Sequence, residues 1–139
     1  MKRVLGLDLG SVTCGIAVSD PLGIVARAVK TIRFPENDYD QACDLVLECV
    51  KEFAPDEIIL GLPKHMNNDI GIRGQISIDF KEMLEEKVTC PVILIDERLS
   101  TVAAEKFLIS ADVSRKKRKK VIDQMAAVHV LQGYLDRTH

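Results

Sequence analysis

The sequence predicts an α/β fold in which a mixed five-stranded sheet carries helices on both faces. Three short strand patterns joined by turns open the chain, and they are typical of an antiparallel meander. Strand and helix patterns then alternate, which indicates parallel β-α-β units with right-handed crossovers. The length of 139 residues predicts a single domain spanning 1–139.

Alternation and turn residues predict the first three strands. In the segment from Val4 to Leu9 the leucines fall on one side, while Gly6 and Asp8 fall on the other. Gly15 to Ser19 and Ile24 to Ile32 supply the second and third strands. The turns between them are indicated by Gly10-Ser11 and by Pro21-Leu22-Gly23.

Helical spacing begins after the meander. Apolar residues recur at helical intervals from Tyr39 to Phe53, and either Asn37 or Asp38 is a suitable N-cap. The later elements are predicted in this order: a buried strand from Glu57 to Leu60, a helix from about Gln75 to Lys87, a strand from Val92 to Ile95, a helix capped by Ser100 or Thr101 and running through Ile109, and a last helix from about Lys120 to Leu135.

The composition is that of a globular protein, with 47% hydrophobic and 29% charged residues. No apolar run approaches the ~18 residues that a membrane span requires. The apolar run from Val4 to Leu9 is too short for the core of a signal peptide, and Asp8 interrupts it. We therefore expect a cytoplasmic protein without a membrane partner.

The cysteines do not have the spacing of a metal site. No two of them form a C-x-x-C pair, and the three histidines are scattered along the chain. Free thiols in a reducing compartment are therefore expected. The four are Cys14, Cys43, Cys49 and Cys90.

Six positive charges follow one another near the C-terminus of a chain whose formal net charge is −2. Subtracting these six from the 19 basic residues leaves 13 against 21 acidic ones, so the rest of the chain carries −8. A dense basic segment on a mildly acidic protein favours a localised contact with a polyanion, and a solvated loop is the alternative. This basic segment comprises Arg115, Lys116, Lys117, Arg118, Lys119 and Lys120.

Three carboxylates occupy unusual positions in this pattern. Asp8 lies inside an apolar strand, and Glu97 follows closely on the buried strand Val92–Ile95. Asp123 lies near the edge of the apolar stripe of the last helix. Each has an ordinary alternative, namely a turn hydrogen bond for Asp8 and a favourable helix N-terminus for the other two. Asp96 competes with Glu97, because adjacent strand residues point to opposite faces.

Together the three carboxylates predict a metal site. Converging carboxylates repel one another, and a hard cation that prefers oxygen ligands removes this repulsion. Two such ions, Mg²⁺ or Mn²⁺, can activate a water and stabilise the leaving oxygen during phosphodiester hydrolysis. The basic segment comes just before Asp123, where it is placed to hold phosphates. The residues therefore favour a metal-dependent nuclease.

Four blocks of the sequence, in order and spanning nearly the whole chain, resemble the YqgF family, which is also called RuvX. The blocks are Gly6-Leu7-Asp8-Leu9-Gly10 continued by Gly15-Ile16-Ala17-Val18-Ser19-Asp20, then Gly61-Leu62-Pro63 with its polar loop, then Asp96-Glu97-Arg98-Leu99-Ser100-Thr101, and finally Ser114 to Lys119 followed by Asp123-Gln124-Met125-Ala126-Ala127.

The resemblance implies a ribonuclease-H-like fold related to Holliday junction resolvases, with Asp8, Glu97 and Asp123 at the family's acidic positions. It implies a nuclease that matures the 5′ end of pre-16S ribosomal RNA. Arg98 and the basic segment are expected to contact nucleic acid, although a surface ion pair serves equally well for Arg98. Cys14 stands where the family usually has a basic residue, which removes an expected phosphate contact.

Three other functions remain open at this point. A DNA junction resolvase is expected to act as a symmetric homodimer, and the sequence leaves monomer or homodimer undecided. A non-catalytic assembly factor would bind ribosomal RNA through the basic segment alone, in a salt-dependent way. The motif Gly6-x-Asp8-x-Gly10 also resembles the phosphate-binding turn of actin-like sugar kinases, but those enzymes hold ATP between two domains.

Overall fold

The computed structural model describes residues 3–62, 71–96 and 115–138. Within these ranges, no helix is both long and apolar enough to cross a membrane. The described strands are β1 (Val4–Leu9), β2 (Thr13–Ser19), β3 (Ala26–Arg33), β4 (Glu57–Leu62) and β5 (Val92–Asp96), and the described helices are α1 (Tyr39–Phe53), α2 (Gly71–Glu85) and α3 (Arg115–Thr138).

The strands form one mixed sheet in the order β3-β2-β1-β4-β5. The pairs β1–β2 and β2–β3 are antiparallel, whereas β1–β4 and β4–β5 are parallel. The predicted meander with two added parallel strands is therefore confirmed. Because β1, β4 and β5 run in the same direction, their C-terminal ends lie at one edge of the sheet, which we call the carboxyl edge.

The helices lie on both faces of the sheet, as predicted. On one face Leu5 and Leu7 belong to a buried cluster shared with α1 and α2. On the other face Val4 and Ile59 pack against α3, and α3 crosses β1, β2 and β3. The alternation in β1 places Gly6 and Asp8 on the α3 face, opposite the leucines.

The third strand begins two residues later than predicted, because a side chain holds its first residues in a turn. Asp20 Oδ1 accepts hydrogen bonds from the N–H groups of Ile24 and Val25, at 2.7 and 3.0 Å. These bonds, the one from Val25 most of all, lower the pKa of the Asp20 carboxyl. Apolar residues at 24 and 25 thus belong to the turn, and β3 starts at Ala26.

The helices differ in how well their bounds were predicted. The bounds of α1 match the prediction, and Asp38 caps it by accepting from the N–H of Gln41 at 3.1 Å. The second helix begins at Gly71, four residues before Gln75, and it ends at Glu85. The third begins at Arg115 rather than Lys120, since Lys and Arg favour helix even where apolar spacing is missing. The helix predicted through 109 lies outside the described residues.

Gly6 is the point of closest approach between α3 and the sheet. A Cβ atom at this position would lie 2.9 Å from Cβ of Leu131 and 3.3 Å from the carbonyl oxygen of Ala127. The first distance is shorter than side-chain atoms tolerate, so any side chain here would displace the helix. A glycine inside a buried strand therefore has a packing function.

The four cysteines are free thiols, as predicted. Cys14, Cys43 and Cys49 are buried, whereas Cys90 is half-buried. Burial raises the pKa of the Cys43, Cys49 and Cys90 thiols. The thiolate, which is the reactive form, is therefore scarce at neutral pH.

Replacing Gly6 by alanine is expected to lower the free energy of unfolding by about 1–3 kcal/mol, since the added methyl overpacks the contact between β1 and α3. Gly133→Ala is the matched control, because its Cβ would meet only the end of the Arg137 side chain, at 3.9 Å. That variant should gain up to about 1 kcal/mol from helix propensity. Urea denaturation of both variants measures the difference, and equal stabilities would contradict the packing role of Gly6.

Iodoacetamide at pH 8 should modify Cys90 before any other cysteine of the folded protein. Cys14, Cys43 and Cys49 are shielded from the reagent, and burial keeps Cys43 and Cys49 protonated. Peptide mass spectrometry over a time course measures the order of modification. In urea all four should react at similar rates, and early labelling of Cys43 or Cys49 without denaturant would contradict their burial.

Candidate functional site

Asp8 is the one predicted catalytic side chain that the structure describes. It is the penultimate residue of β1, it is half-buried, and it lies on the α3 face near the carboxyl edge. Its partner across the antiparallel pair is Gly15. The turn that follows is closed by a 2.7 Å hydrogen bond from the N–H of Gly10 to the carbonyl of Thr13. A short rigid turn thus fixes the strand end that carries this carboxylate.

The backbone of α3 brings position 123 to the level of Asp8. Gly6 and Ala127 are in contact, so they define a common level on β1 and α3. From Gly6 to Asp8 the strand advances about 7 Å. From Ala127 back to Asp123 the helix advances about 6 Å. Since α3 runs antiparallel to β1, both steps lead towards the carboxyl edge.

Two polar contacts at the other end of α3 fix this antiparallel register. The amide of Gln132 accepts from the N–H of Ala26 and donates to the carbonyl of Ile24, both at 2.9 Å. The hydroxyl of Tyr134 donates at 3.0 Å to the carboxylate of Glu57, which is the first residue of β4. Burial and this carboxylate raise the pKa of Tyr134, which keeps the hydroxyl a donor.

The buried stripe of α3 contains the predicted one and extends beyond it. The prediction placed Asp123 near the edge of a stripe formed by residues 122, 125, 126 and 130. Of these, Ala126 and Val130 are buried and Met125 is half-buried, and Ala127, Leu131 and Leu135 are buried as well. Position 123 precedes Ala127 by four residues and Val130 by seven, which puts it in line with the buried residues. The side chain of Asp123 itself lies outside the described part.

The end of β5 lies at the same edge. Leu7 pairs with Leu60, and Leu60 pairs with Leu94, so Asp8 and Ile95 each lie one residue beyond this row. Ile95 packs on the α3 face, as Asp8 does. β5 ends at Asp96. Glu97 and Arg98 lie outside the described residues, and their predicted roles remain predictions.

The basic segment belongs to a helix rather than to a loop. Residues 115–120 form the first turn and a half of α3, so the predicted start of this helix at Lys120 was wrong. The amino end of a helix carries a partial positive charge, which makes cations unfavourable there. The first turn contains no acidic residue to offset them. An anion at this end of the helix would therefore be favourable.

Cys14 cannot serve as a phosphate contact. It is fully buried in the cluster on the α1–α2 face, opposite the face of Asp8. The presence of Cys14, where the family usually has a basic residue, therefore affects the packing of the core and not the candidate site.

The three predicted carboxylates would suit a hard cation, and the structure describes the side chain of one of them, Asp8. No group of three or more His, Cys, Asp or Glu side chains that could bind a metal occurs in the described residues. That search does not include Glu97 or the side chain of Asp123. Carboxylate oxygens are the ligands that Mg²⁺ and Mn²⁺ prefer, and Asp8 supplies one at the carboxyl edge.

Comparison with known proteins identifies close relatives over nearly the whole chain. The family model RuvX, described as Holliday junction resolvase, matches residues 2–137. A Bacillus licheniformis protein named "Putative pre-16S rRNA nuclease" is 56% identical over 134 residues, which is 96% of each chain.

Solved structures of low sequence identity share the fold. The structure of T. thermophilus RuvC in complex with a Holliday junction substrate matches with a TM-score of 0.62 and 14% identity, over 99% of this chain and 96% of that one. The fold is therefore ribonuclease-H-like, as predicted. A hexokinase of the ROK type from Thermus thermophilus matches with a TM-score of 0.50 and 22% identity, but only 37% of that chain is covered. The similarity to sugar kinases is thus limited to one part of those larger enzymes.

Gly6, Gln132 and Tyr134 were not singled out as functional from the sequence. Each acts on α3 rather than on a substrate, and together they set where α3 lies on the sheet. A glycine on the inward side of a buried strand was the available signal for Gly6. A polar residue within a helical pattern gives no comparable signal, since solvent exposure explains it equally well.

Proposed function

This chain belongs to the RuvX family, and on that basis we propose that it is a metal-dependent nuclease that processes the 5′ end of pre-16S ribosomal RNA. The observation that carries the proposal is the common level of Asp8 and position 123 on one face of the sheet. Carboxylates that converge at the carboxyl edge would repel one another without a cation. The relatives named as nucleases of pre-16S rRNA support the substrate.

The proposed metal ligands are Asp8, Glu97 and Asp123. Bound Mg²⁺ or Mn²⁺ would supply an activated water and stabilise the charge that develops on the leaving oxygen. The chain's own contribution is to hold the carboxylates in place. β1 fixes Asp8 through a closed turn, and α3 fixes position 123 through its contact with Gly6. Rigid elements position ligands more accurately than loops do.

Strand alternation favours Glu97 over Asp96 as the third ligand. Ile95 lies on the α3 face, so position 96 falls on the opposite face. Position 97 lies outside the described residues, and the sequence pattern predicts for it the face of Asp8, because successive strand residues alternate. Glu97 is therefore the ligand that we propose, and Asp96 is the natural comparison.

The nucleic acid is proposed to contact Arg98 and the basic segment, residues 115–120. A phosphate backbone provides the anion that the amino end of α3 lacks. Because the segment precedes position 123 in one helix, phosphates bound there would lie beside the metal ligands. We also propose that the 139 residues act as one domain in the cytoplasm, where ribosomal RNA is processed.

Junction cleavage is the second candidate function. It is favoured by the description of the family model as Holliday junction resolvase. A resolvase makes paired cuts, so this function requires a homodimer with two sites. A non-catalytic factor that binds ribosomal RNA is the third candidate, and it requires neither metal nor Asp8.

Asp8→Asn is expected to lower cleavage by at least about 100-fold, since it removes a metal ligand's charge. The protein should be incubated with a 5′-extended 16S precursor RNA and with a four-way DNA junction, in Mg²⁺ or Mn²⁺. Cleavage of the RNA alone supports the processing nuclease, and cleavage of the junction alone supports the resolvase. Chelation by EDTA should abolish either activity.

The control for this experiment is the fold of the variant, followed by circular dichroism and thermal unfolding. A folded Asp8→Asn protein that still cleaves at the wild-type rate would rule out the proposed site. Binding of RNA without cleavage by the wild-type protein would favour the assembly factor instead.

Glu97→Gln and Asp96→Asn form a matched pair, since each neutralises one carboxylate without changing its size. We expect Glu97→Gln to reduce cleavage about as strongly as Asp8→Asn, and Asp96→Asn to have a much smaller effect. Initial rates over a range of Mg²⁺ concentrations measure both. The reverse order of effects would assign the ligand to Asp96.

A further inference from the structure

We infer that Arg33, at the end of the edge strand β3, binds a phosphate of the nucleic acid next to the catalytic carboxylates. This inference rests on the proposed function and extends its binding surface from α3 to the edge strand β3. Arg33 is the last residue of β3, and it is exposed. Neither the basic segment nor the acidic positions include it.

The register of the sheet places Arg33 on the same face as Asp8. Asp8 pairs with Gly15, and Gly15 pairs with Thr31, so these three residues form one row across the sheet. Arg33 lies two residues beyond Thr31 and pairs with Thr13, so it shares the face of that row. Two strand spacings and two residues of rise put its Cα about 12 Å from that of Asp8.

The guanidinium of Arg33 is available for a ligand. Within the described residues it forms no hydrogen bond or ion pair. The arginines Arg3, Arg27 and Arg137 each make a contact inside the protein: the first donates to the carbonyl of Phe53, the second lies 6.0 Å from the centre of the Phe53 ring, and the third donates to the carbonyl of Gly133.

The backbone around Arg33 is held firmly against the turn that follows Asp8. The N–H of Phe34 donates to the carbonyl of Val12 at 3.0 Å, and the N–H of Asn37 donates to the carbonyl of Ser11 at 2.8 Å. These bonds tie the end of β3 to the β1–β2 turn. The backbone of Arg33 is therefore held in place relative to Asp8, so only the side chain has to be ordered on binding.

The chemistry of the contact is that of phosphate recognition. A guanidinium donates two parallel hydrogen bonds to phosphate oxygens and remains charged at every relevant pH. A nucleic acid that binds the basic segment of α3 and follows the carboxyl edge towards β3 would pass Asp8 and meet Arg33. A second phosphate contact near the carboxylates would help to hold the cleaved bond in place.

Charged residues on an edge strand commonly prevent it from pairing with a strand of another chain, and this is the ordinary explanation for a charged residue on β3. Arg27 serves that role equally well, since it lies on the same edge strand and is exposed. It differs from Arg33 in lying near the start of the strand, on the other face, against Phe53. Arg27→Ala is therefore the matched control for Arg33→Ala.

Fluorescence anisotropy should be measured with the 5′-extended 16S precursor RNA and with the four-way junction, without added metal, over a range of salt concentrations. We expect Arg33→Ala to weaken binding about five- to tenfold near 0.1 M salt and to reduce the slope of log K against log[salt] by about one. Arg27→Ala should change neither quantity. Arg33→Lys should keep the slope, because it keeps the charge.

Equal affinities and slopes for Arg33→Ala and Arg27→Ala would overturn the inference, as would failure of the wild-type protein to bind either nucleic acid. Because the assay requires no cleavage, it separates the two proposals. Wild-type protein that binds but does not cleave, with a reduced slope for Arg33→Ala, supports the contact while the nuclease proposal fails.

Discussion

The contact between Gly6 and α3 is the constraint on which the rest of the site depends. The helix reaches the sheet here because no side chain separates Cα of Gly6 from Leu131 and the backbone of Ala127. Asp8 follows Gly6 by two residues on the same face of β1. Gly6, which allows the close approach of α3, thus lies two residues from Asp8 in one strand. This spacing, together with the rise of the helix, brings the backbone of position 123 to the level of Asp8.

An apolar stripe alone would not fix α3 along its own axis, because similar side chains recur every turn. A shift by one turn would move position 123 by about 5.4 Å, which is more than a metal–ligand distance. The hydrogen bonds of Gln132 to β3 and its turn and of Tyr134 to Glu57 are directional, so they favour one register of α3 on the sheet. They lie far from the carboxyl edge, and the regular rise of the helix transmits their effect to it.

Much of the fold follows from the sequence, because periodicity and turns report on local structure. The bounds of β1 and α1 were predicted, Asp38 was one of the two predicted caps, and the position of Asp8 on the face opposite the leucines was predicted as well. The start of β3 was not, because one Asp20 side chain holds apolar residues in a turn. The buried stripe of α3 was predicted in part: Ala126 and Val130 are buried as expected, whereas the burial of Leu131 and Leu135 was not predicted, since apolar spacing does not show how much of the helix the sheet covers.

The third helix divides into two parts with different partners. From Ala126 to Leu135 it is anchored by burial, whereas residues 115–120 are cationic at the end where the helix dipole opposes cations. The burial of the C-terminal half of α3 therefore offsets the unfavourable interaction between the helix dipole and the cations of residues 115–120. A chain optimised for stability alone would place acids in this first turn. The lack of acids in this turn supports the proposal that the amino end of α3 binds an anion from outside the protein.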